Sequence, residues 1–360
     1  MVLILIIAFF SLIGLMVIHE FGHFILAKKF GVRVEEFGVG YPPRLFGRKF
    51  GDTLYSINLI PFGAFVKIYG QEERIEDSQS FTSKPFWQKA LIILGGVISF
   101  WVVSAVLLSF VMAIGVPTSI GDEEGGDLVN PKVQIGAVSP NSPAEKAGIK
   151  IGDTIKNVKV QSSNIKIINK VKEFQEFVSQ NKGQEIIITI QRGKSTIEVP
   201  VVPRTSVPEN DGPIGVVLVR TALISYPWYL APVEGVKATV HLTIVAVEGW
   251  GQAISGLLRG KSSGVQLMGP VGIFSLFTQV SQLGVNYFLQ FVAVISVFVA
   301  LFNILPIPVT DGGKLLFLII EKIRGRALNQ KFEHRLDFVF FALLMVLMVW
   351  VTIKDVIRLF

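Results

Sequence analysis

The stretch Met16-Val17-Ile18-His19-Glu20-Phe21-Gly22-His23-Phe24-Ile25-Leu26-Ala27 places two imidazoles and a carboxylate inside an otherwise apolar run. Ionisable groups at membrane depth are costly, so they mark a functional site by default. On a helix, His19 and His23 stand at i and i+4 and share one face. Glu20 sits one step round, within reach of a water held by a metal on that face. This is the H-E-x-x-H pattern of zinc metallohydrolases, here set in a membrane helix. The spacing predicts a zinc-dependent peptide-bond hydrolase whose site lies within the bilayer.

Composition agrees with a membrane setting. The chain has 360 residues, of which 51% are hydrophobic, enough for a membrane part plus one soluble domain. Cysteine is absent and histidine occurs four times. A thiolate metal site is therefore excluded, and any metal must be held by His, Asp or Glu. The net charge of +7 comes without a basic stripe interleaved with aromatics, so nucleic acid is not an expected partner. Basic flanks of membrane spans account for it.

Four spans are expected. Residues 1–27 form the first, read as a retained helix because Lys28 and Lys29 follow the apolar run and no small-residue cleavage site is visible. The positive-inside rule then puts its C-terminal end, and the His-Glu motif, toward the cytoplasm. Phe86–Val116 is the second, with Gly95, Gly96 and Ser99 forming a small-residue face for close helix packing. Tyr287–Ile320 is the third, broken by Asn303, Pro306, Pro308 and Gly312-Gly313, and Phe338–Ile353 the fourth. His241 and His334 read as interfacial or solvated side chains.

Between the first two spans, residues 34–70 are punctuated by glycine and proline, with strands expected at Thr53–Leu59 and Ala64–Tyr69. Apolar β-structure at membrane depth is tolerated only beside protein or a water-filled cavity. A re-entrant β-hairpin beside the site meets that condition, and its free edge around Ala64–Ile68 could hold a substrate extended. Residues 131–204 read as one α+β domain, on the far side of the membrane from the motif. Within it, Ser142-Pro143-Ala144-Glu145 predicts a capping box, Val171–Val178 an amphipathic helix, and Arg192-Gly193-Lys194 a turn between two strands. Residues 117–130 and 204–213 read as linkers, Ile214–Val219 as a short strand. Residues 205–286 are a connecting region in which Pro232–Arg259 is amphipathic and expected at the outer interface, a further span being the alternative.

Catalytic zinc takes three protein ligands and keeps one open position. His19 and His23 supply two. The best third candidate is Asp311, an acid in the break of the third span, at the same cytoplasmic depth.

With these residues in view, the chain resembles the site-2 protease family of intramembrane zinc metalloproteases, in particular its RseP-type bacterial members. His19-Glu20-Phe21-Gly22-His23 is similar to the family's first motif. The run from Asn303 to Gly313 is similar to its second, N-x-x-P-x-P-x-x-D-G-G. Pro61–Tyr69 resembles its membrane re-entrant β-loop, Val133–Val202 its PDZ domain, and Gly269–Ile273 a segment before the third span. The resemblance implies zinc on His19, His23 and Asp311, with Glu20 as base. It implies substrate contacts by Asn303 and by Gly63, Ala64, Phe65, Val66 and Lys67, and a PDZ groove involving Ile214, Gly215 and Val216. It further implies an inner-membrane enzyme of regulated intramembrane proteolysis. Its substrates would be single-span proteins already trimmed by another protease, such as anti-sigma factors or signal-peptide remnants. Gly96 departs from the family's usual Pro, Ser99 from its frequent Asn, and Thr310 from the common Leu. The competing expectations are a non-catalytic membrane scaffold with a PDZ domain and a metal-dependent transporter. The scaffold leaves Glu20 unexplained, and no inverted repeat supports the transporter.

Overall fold

A computed structural model describes residues 2–73, 75–124, 129–160, 165–193, 195–207, 211–260 and 268–359. The long apolar runs form helices, because only a helix satisfies its own backbone in hydrocarbon. Among the described residues, four helices are long and apolar enough to cross a membrane. They are α1 (Val2–Lys29), α2 (Phe86–Ile114), α7 (Val285–Ile304) and α9 (Gln330–Leu359). Leucine, valine and phenylalanine side chains stay exposed along them; Phe338 of α9 is 72% and Phe110 of α2 61% accessible. Lipid-facing surfaces look like this, whereas a soluble monomer does not leave such continuous apolar faces open. The chain divides into two compact units.

The first unit comprises residues 1–108, 234–275 and 292–360. After α1 the chain enters β1 (Val34–Phe50) and returns in β2 (Thr53–Ile68), turning at Gly51 with φ +58°. The strands are longer than the sequence suggests, and their pairing is folded on itself. Gly38 faces Phe65 on one side and Ser56 on the other, while Phe46 pairs with Ile57. The first part of β1 is thus central, and the Ala64–Ile68 part of β2 has one neighbour. The expected segments Thr53–Leu59 and Ala64–Tyr69 are the two halves of β2. A core of Ala27, Val32, Val34, Ile68, Phe81, Ile92 and Leu318 ties the end of α1 and the hairpin base to α2 and α8 (Asp311–Arg324).

The expected broken third span is two helices, α7 and α8, separated at Leu305–Thr310. The fourth is longer than Phe338–Ile353 because its polar first turns, from Gln330, continue the same helix. The amphipathic segment is a continuous helix, α5 (Ala231–Leu258). It meets α2 and α7 through Trp101, Ala246, Trp250, Val297 and Leu301. The Gly269–Ile273 segment opens α6 (Pro270–Leu283), whose first amides, Gly269 and Gly272, donate to Asp355 of α9 at 2.8 Å each.

The second unit comprises residues 109–233 and 276–291. Its sheet runs β3–β9–β4–β5–β7–β8, with β6 beside β5, and every pairing is antiparallel. The strands are β3 (Val116–Ser119), β4 (Val129–Val138), β5 (Thr154–Val160), β6 (Lys166–Ile167), β7 (Ile186–Arg192), β8 (Ser195–Val201) and β9 (Val216–Ile224). The sheet therefore reaches beyond residues 131–204: β3 forms inside the expected linker, and the Ile214–Val219 strand is realised as β9. Residues 125–128 and 208–210 of the expected linkers, and Lys194 of the expected turn, lie outside the described residues. Ile186, Ile188 and Ile190 alternate into the core as a half-buried strand requires. Helix α3 (Pro143–Lys146) is capped by Ser142, which accepts from the Glu145 amide at 3.2 Å. The reciprocal bond of the expected capping box goes elsewhere: Glu145 accepts from the Asn141 amide at 2.6 Å. Helix α4 (Val171–Gln180) buries Phe174 and Val178.

Candidate active site

Helix α1 brings the two imidazoles together, with ring centroids 4.8 Å apart. Their Nε2 atoms are separated by 3.4 Å. Asp311 Oδ2 lies 3.5 Å from His19 Nε2 and 3.3 Å from His23 Nε2. Four donors placed tetrahedrally 2.0–2.1 Å from zinc would be separated by about 3.3 Å. The three atoms therefore have the mutual spacing that a zinc ion demands. Asp311 is 5% accessible, and its Oδ2 is buried without a hydrogen-bond partner. A buried carboxylate oxygen facing only two imidazole nitrogens fits a cation. Among the described residues, His19, His23 and Asp311 are the group that could hold a metal.

The supporting shell fixes this geometry. His23 Nδ1 lies 2.8 Å from the Ile92 carbonyl. A carbonyl only accepts, so Nδ1 carries the proton and the Nε2 lone pair points into the site. The His19 ring stacks on Phe100 at 4.8 Å. Gly96 lies against both rings: a Cβ there would be 2.3 Å from His19 Cε1 and 2.4 Å from His23 Nε2.

The loop at Leu305–Thr310 sets the third ligand. The Thr310 hydroxyl lies 2.8 Å from the carbonyls of both Leu305 and Ile307 and accepts from the Gly313 amide at 3.4 Å. It thereby caps the N-terminus of α8 one residue before Asp311. A Cβ at Gly312 would fall 2.2 Å from the Ile304 carbonyl oxygen, and one at Gly313 2.1 Å from that of Ile307, which explains the glycine pair. Val309 holds φ +85°, a conformation a β-branched residue rarely adopts. Its amide donates to Asp337 of α9 at 3.2 Å.

Glu20 is near the triad on the same helix, and the backbone amide of Val66 on β2 lies close enough to interact with its carboxylate. The charge of Lys314, the third residue beyond Asp311, acts on Glu20, His19 and Asp311. Sequence reading missed the Ile92 carbonyl, Lys314, and the Thr310 and Asp337 bonds. The Thr residue directly before an Asp at a helix start was the available signal for the cap.

The other expected residues are placed as follows. Gly63, at φ +86°, lies under the Tyr41 ring, and Phe65 stacks on that ring at 6.2 Å. Ala64 is buried, and Lys67 is exposed and paired with Glu35 at 3.0 Å. Asn303 is on α7, where its Nδ2 donates to the Val299 carbonyl of its own helix at 2.9 Å. In the second unit, Ile214 is buried and its carbonyl accepts from the Ala144 amide. Gly215, at φ +76°, bonds to Gly212 and Ser139 through its backbone, and Val216 begins β9.

An H-E-x-x-H pair on a spanning helix, completed by an aspartate at the start of α8, defines a membrane-embedded metallopeptidase. The sequence model for Peptidase family M50 matches residues 7–347. The chain is 33% identical over 354 residues to a protein named as a zinc metalloprotease in Clostridium perfringens, covering 98% of each chain. It is 28% identical over 442 residues to the regulator of sigma-W protease RasP of Bacillus subtilis, covering 99% of each. The chain belongs to peptidase family M50, the site-2 proteases, and is a metalloprotease embedded in the membrane.

Proposed function

We propose that this protein is a zinc-dependent intramembrane protease that cuts the spanning helix of single-span membrane proteins after another protease has trimmed them outside. The observation that carries this reading is the 3.3–3.5 Å triangle of His19 and His23 on the spanning helix α1 and Asp311 at the start of α8. Bound zinc would supply a Lewis acid that polarises the scissile carbonyl and acidifies water. Glu20 takes the proton of the attacking water and delivers it to the leaving amine. A substrate helix satisfies its own amides, so its carbonyls must be freed before water can attack. The one-sided Ala64–Ile68 edge of β2 would hold the freed chain extended by strand addition, with Asn303 as a further backbone contact. That edge adjoins Glu20 through Val66, which supports hairpin and base acting on the same bond.

Orientation follows from charge. Lys28, Lys29 and Arg33 follow α1, Lys84 and Lys89 flank the start of α2, and Lys322, Arg324, Arg326, Lys331 and Arg335 lie around the α8–α9 connection. The positive-inside rule puts these ends, and the site, on the cytoplasmic side of the inner membrane. The antiparallel sheet with α3 and α4 is then extracytoplasmic. Its element order supports a PDZ domain with a groove near Ile214, Gly215 and Val216. The Bacillus relative is named for sigma-W regulation, which agrees with anti-sigma factors as a substrate class.

The test is cleavage of a trimmed single-span substrate by the purified chain in detergent, comparing wild type with Glu20→Gln and assaying zinc in both. Cleavage lost in the variant with zinc retained is the expected result. Zinc-loaded wild type that cuts none of a panel of such helices would overturn the reading.

A further inference from the structure

A cavity of about 520 Å³ opens in the first unit beside Val66, whose amide reaches Glu20, and Lys314, whose charge acts on it. One wall is Val66–Ile68 of β2 with Tyr69 after it, so the cavity continues the strand edge on which the proposed substrate would lie. Its described lining is rich in acids. Apart from the Glu35–Lys67 pair, the lining carries Glu72 and Glu73 from the loop after β2, Glu321 from α8, and Glu333 and Asp337 from α9. Among the described residues, Lys89, Lys314 and His334 complete its basic lining. In the sequence, Lys28 and Lys29 close α1, Lys84 precedes α2 and Arg324 closes α8. An acid-rich hollow selects for positive charge.

We infer that this cavity is a specificity subsite that takes the cytoplasmic juxtamembrane flank of the substrate and favours lysine and arginine there. The inference rests on the single-span substrate reading above. The physical reason is general: a single-span protein carries its excess Lys and Arg on the cytoplasmic side of its helix. A chain laid along the Ala64–Ile68 edge with its cleavage site at Glu20 therefore has a basic flank to place, and the edge leads into this cavity. Charge complementarity of this kind acts mainly on encounter and partner choice, and weakens with salt.

The test uses the purified full chain in a neutral detergent and three single-span substrates that differ only in two flank residues: Lys-Lys, Glu-Glu or Ser-Ser. The wild type is expected to cleave the Lys-Lys form at least about fivefold more efficiently than the Glu-Glu form. The difference should lie in KM and shrink as salt is raised. A Glu72→Lys/Glu73→Lys variant should lose or reverse the preference while cutting the Ser-Ser form at the wild-type rate. Equal efficiency on the charged flanks by the wild type, or an unchanged preference in the variant, would overturn the inference. Failure of the wild type to cut even the Ser-Ser form would instead overturn the substrate reading, and this inference with it.

Discussion

Gly22 of α1 and Gly95 of α2 bring two spanning helices into backbone contact. A Cβ on Gly22 would lie 2.1 Å from the Gly95 carbonyl oxygen, and one on Gly95 2.6 Å from that of Gly22. Lipid offers no hydrophobic drive for helix association, so close packing of small residues does that work. Gly22 lies within the His19–His23 motif, so the same contact sets the distance from α2 to the site. Gly95→Val forces the helices apart and is expected to destabilise the protein by about 3 kcal/mol, the upper part of the usual overpacking range. Thermal unfolding in detergent measures it. An unchanged midpoint would mean that the helices do not meet here.

Gly96 governs the metal site rather than the helix contact. Because an added Cβ would reach both imidazoles, Gly96→Ala is expected to tilt them and weaken zinc by roughly tenfold or more, as disturbed supporting groups commonly do. Zinc affinity by competition with a chelator reads this directly. Full affinity in the variant would show that the rings have room to move.

Much of this site was legible in the sequence because its chemistry is local. His19, Glu20 and His23 announce themselves by helical spacing, and Asp311 by being an acid in an apolar break. Gly95 and Gly96 read as a small-residue face, but not which of them meets a helix and which an imidazole. What stayed hidden depends on contacts distant in sequence. The Ile92 carbonyl is an ordinary backbone group until α2 lies beside His23. The double pairing of β1 arises because one strand is neighbour to two halves of another, and turn residues alone do not encode that. Strand β9 reaches its place between β3 and β4 by a crossover, so the linker reading of residues 117–130 could not reveal β3.

Asp311 is held by a loop that does not depend on metal, since Thr310 caps α8 and Asp337 holds the Val309 amide. Asp311→Asn should leave this loop intact and remove the negative ligand. Zinc content after dialysis is expected to fall more than tenfold, with the fold retained. Full zinc occupancy in the variant would place the third ligand elsewhere.

Acid should loosen the second unit in a defined place. Asp122 accepts from the Val171 and Lys172 amides at 2.9 and 2.8 Å, closing the N-terminus of α4. Partial burial pushes its carboxyl up, but those two donors and the Arg220 charge together hold it below its ordinary 3.8. Asp211 is likewise held low, by the Arg204 guanidinium and the Ser139 hydroxyl. A carboxyl lowered in the folded state contributes stability that is complete above the unfolded value and lost as pH falls through the folded one. Protection of the α4 amides against hydrogen exchange in the full chain should therefore hold down to about pH 4 and decline below it. Asp122→Asn should flatten that decline. A decline equally steep in the variant would assign it to other groups.

The hairpin edge makes the sharpest separation between binding metal and using it. Phe65 and Val66 belong to β2, whereas the metal donors come from α1 and α8. Successive amides of a strand point to opposite sides, so proline at one of these positions removes a donor on the free edge and at the other a donor to β1; at Val66 it removes the amide beside Glu20. The Ala64–Ile68 segment has β1 on one side only, which is the kind of sheet edge where proline is tolerated. Phe65→Pro and Val66→Pro are therefore expected to keep zinc at the wild-type level while cutting turnover of a single-span substrate at least about tenfold. If strand addition unwinds the substrate, a helix weakened by a Gly-Gly pair at the cleavage site should recover part of that loss. Wild-type turnover in both proline variants would remove the hairpin from the mechanism. Loss of zinc with activity would make it a scaffold for the metal site instead.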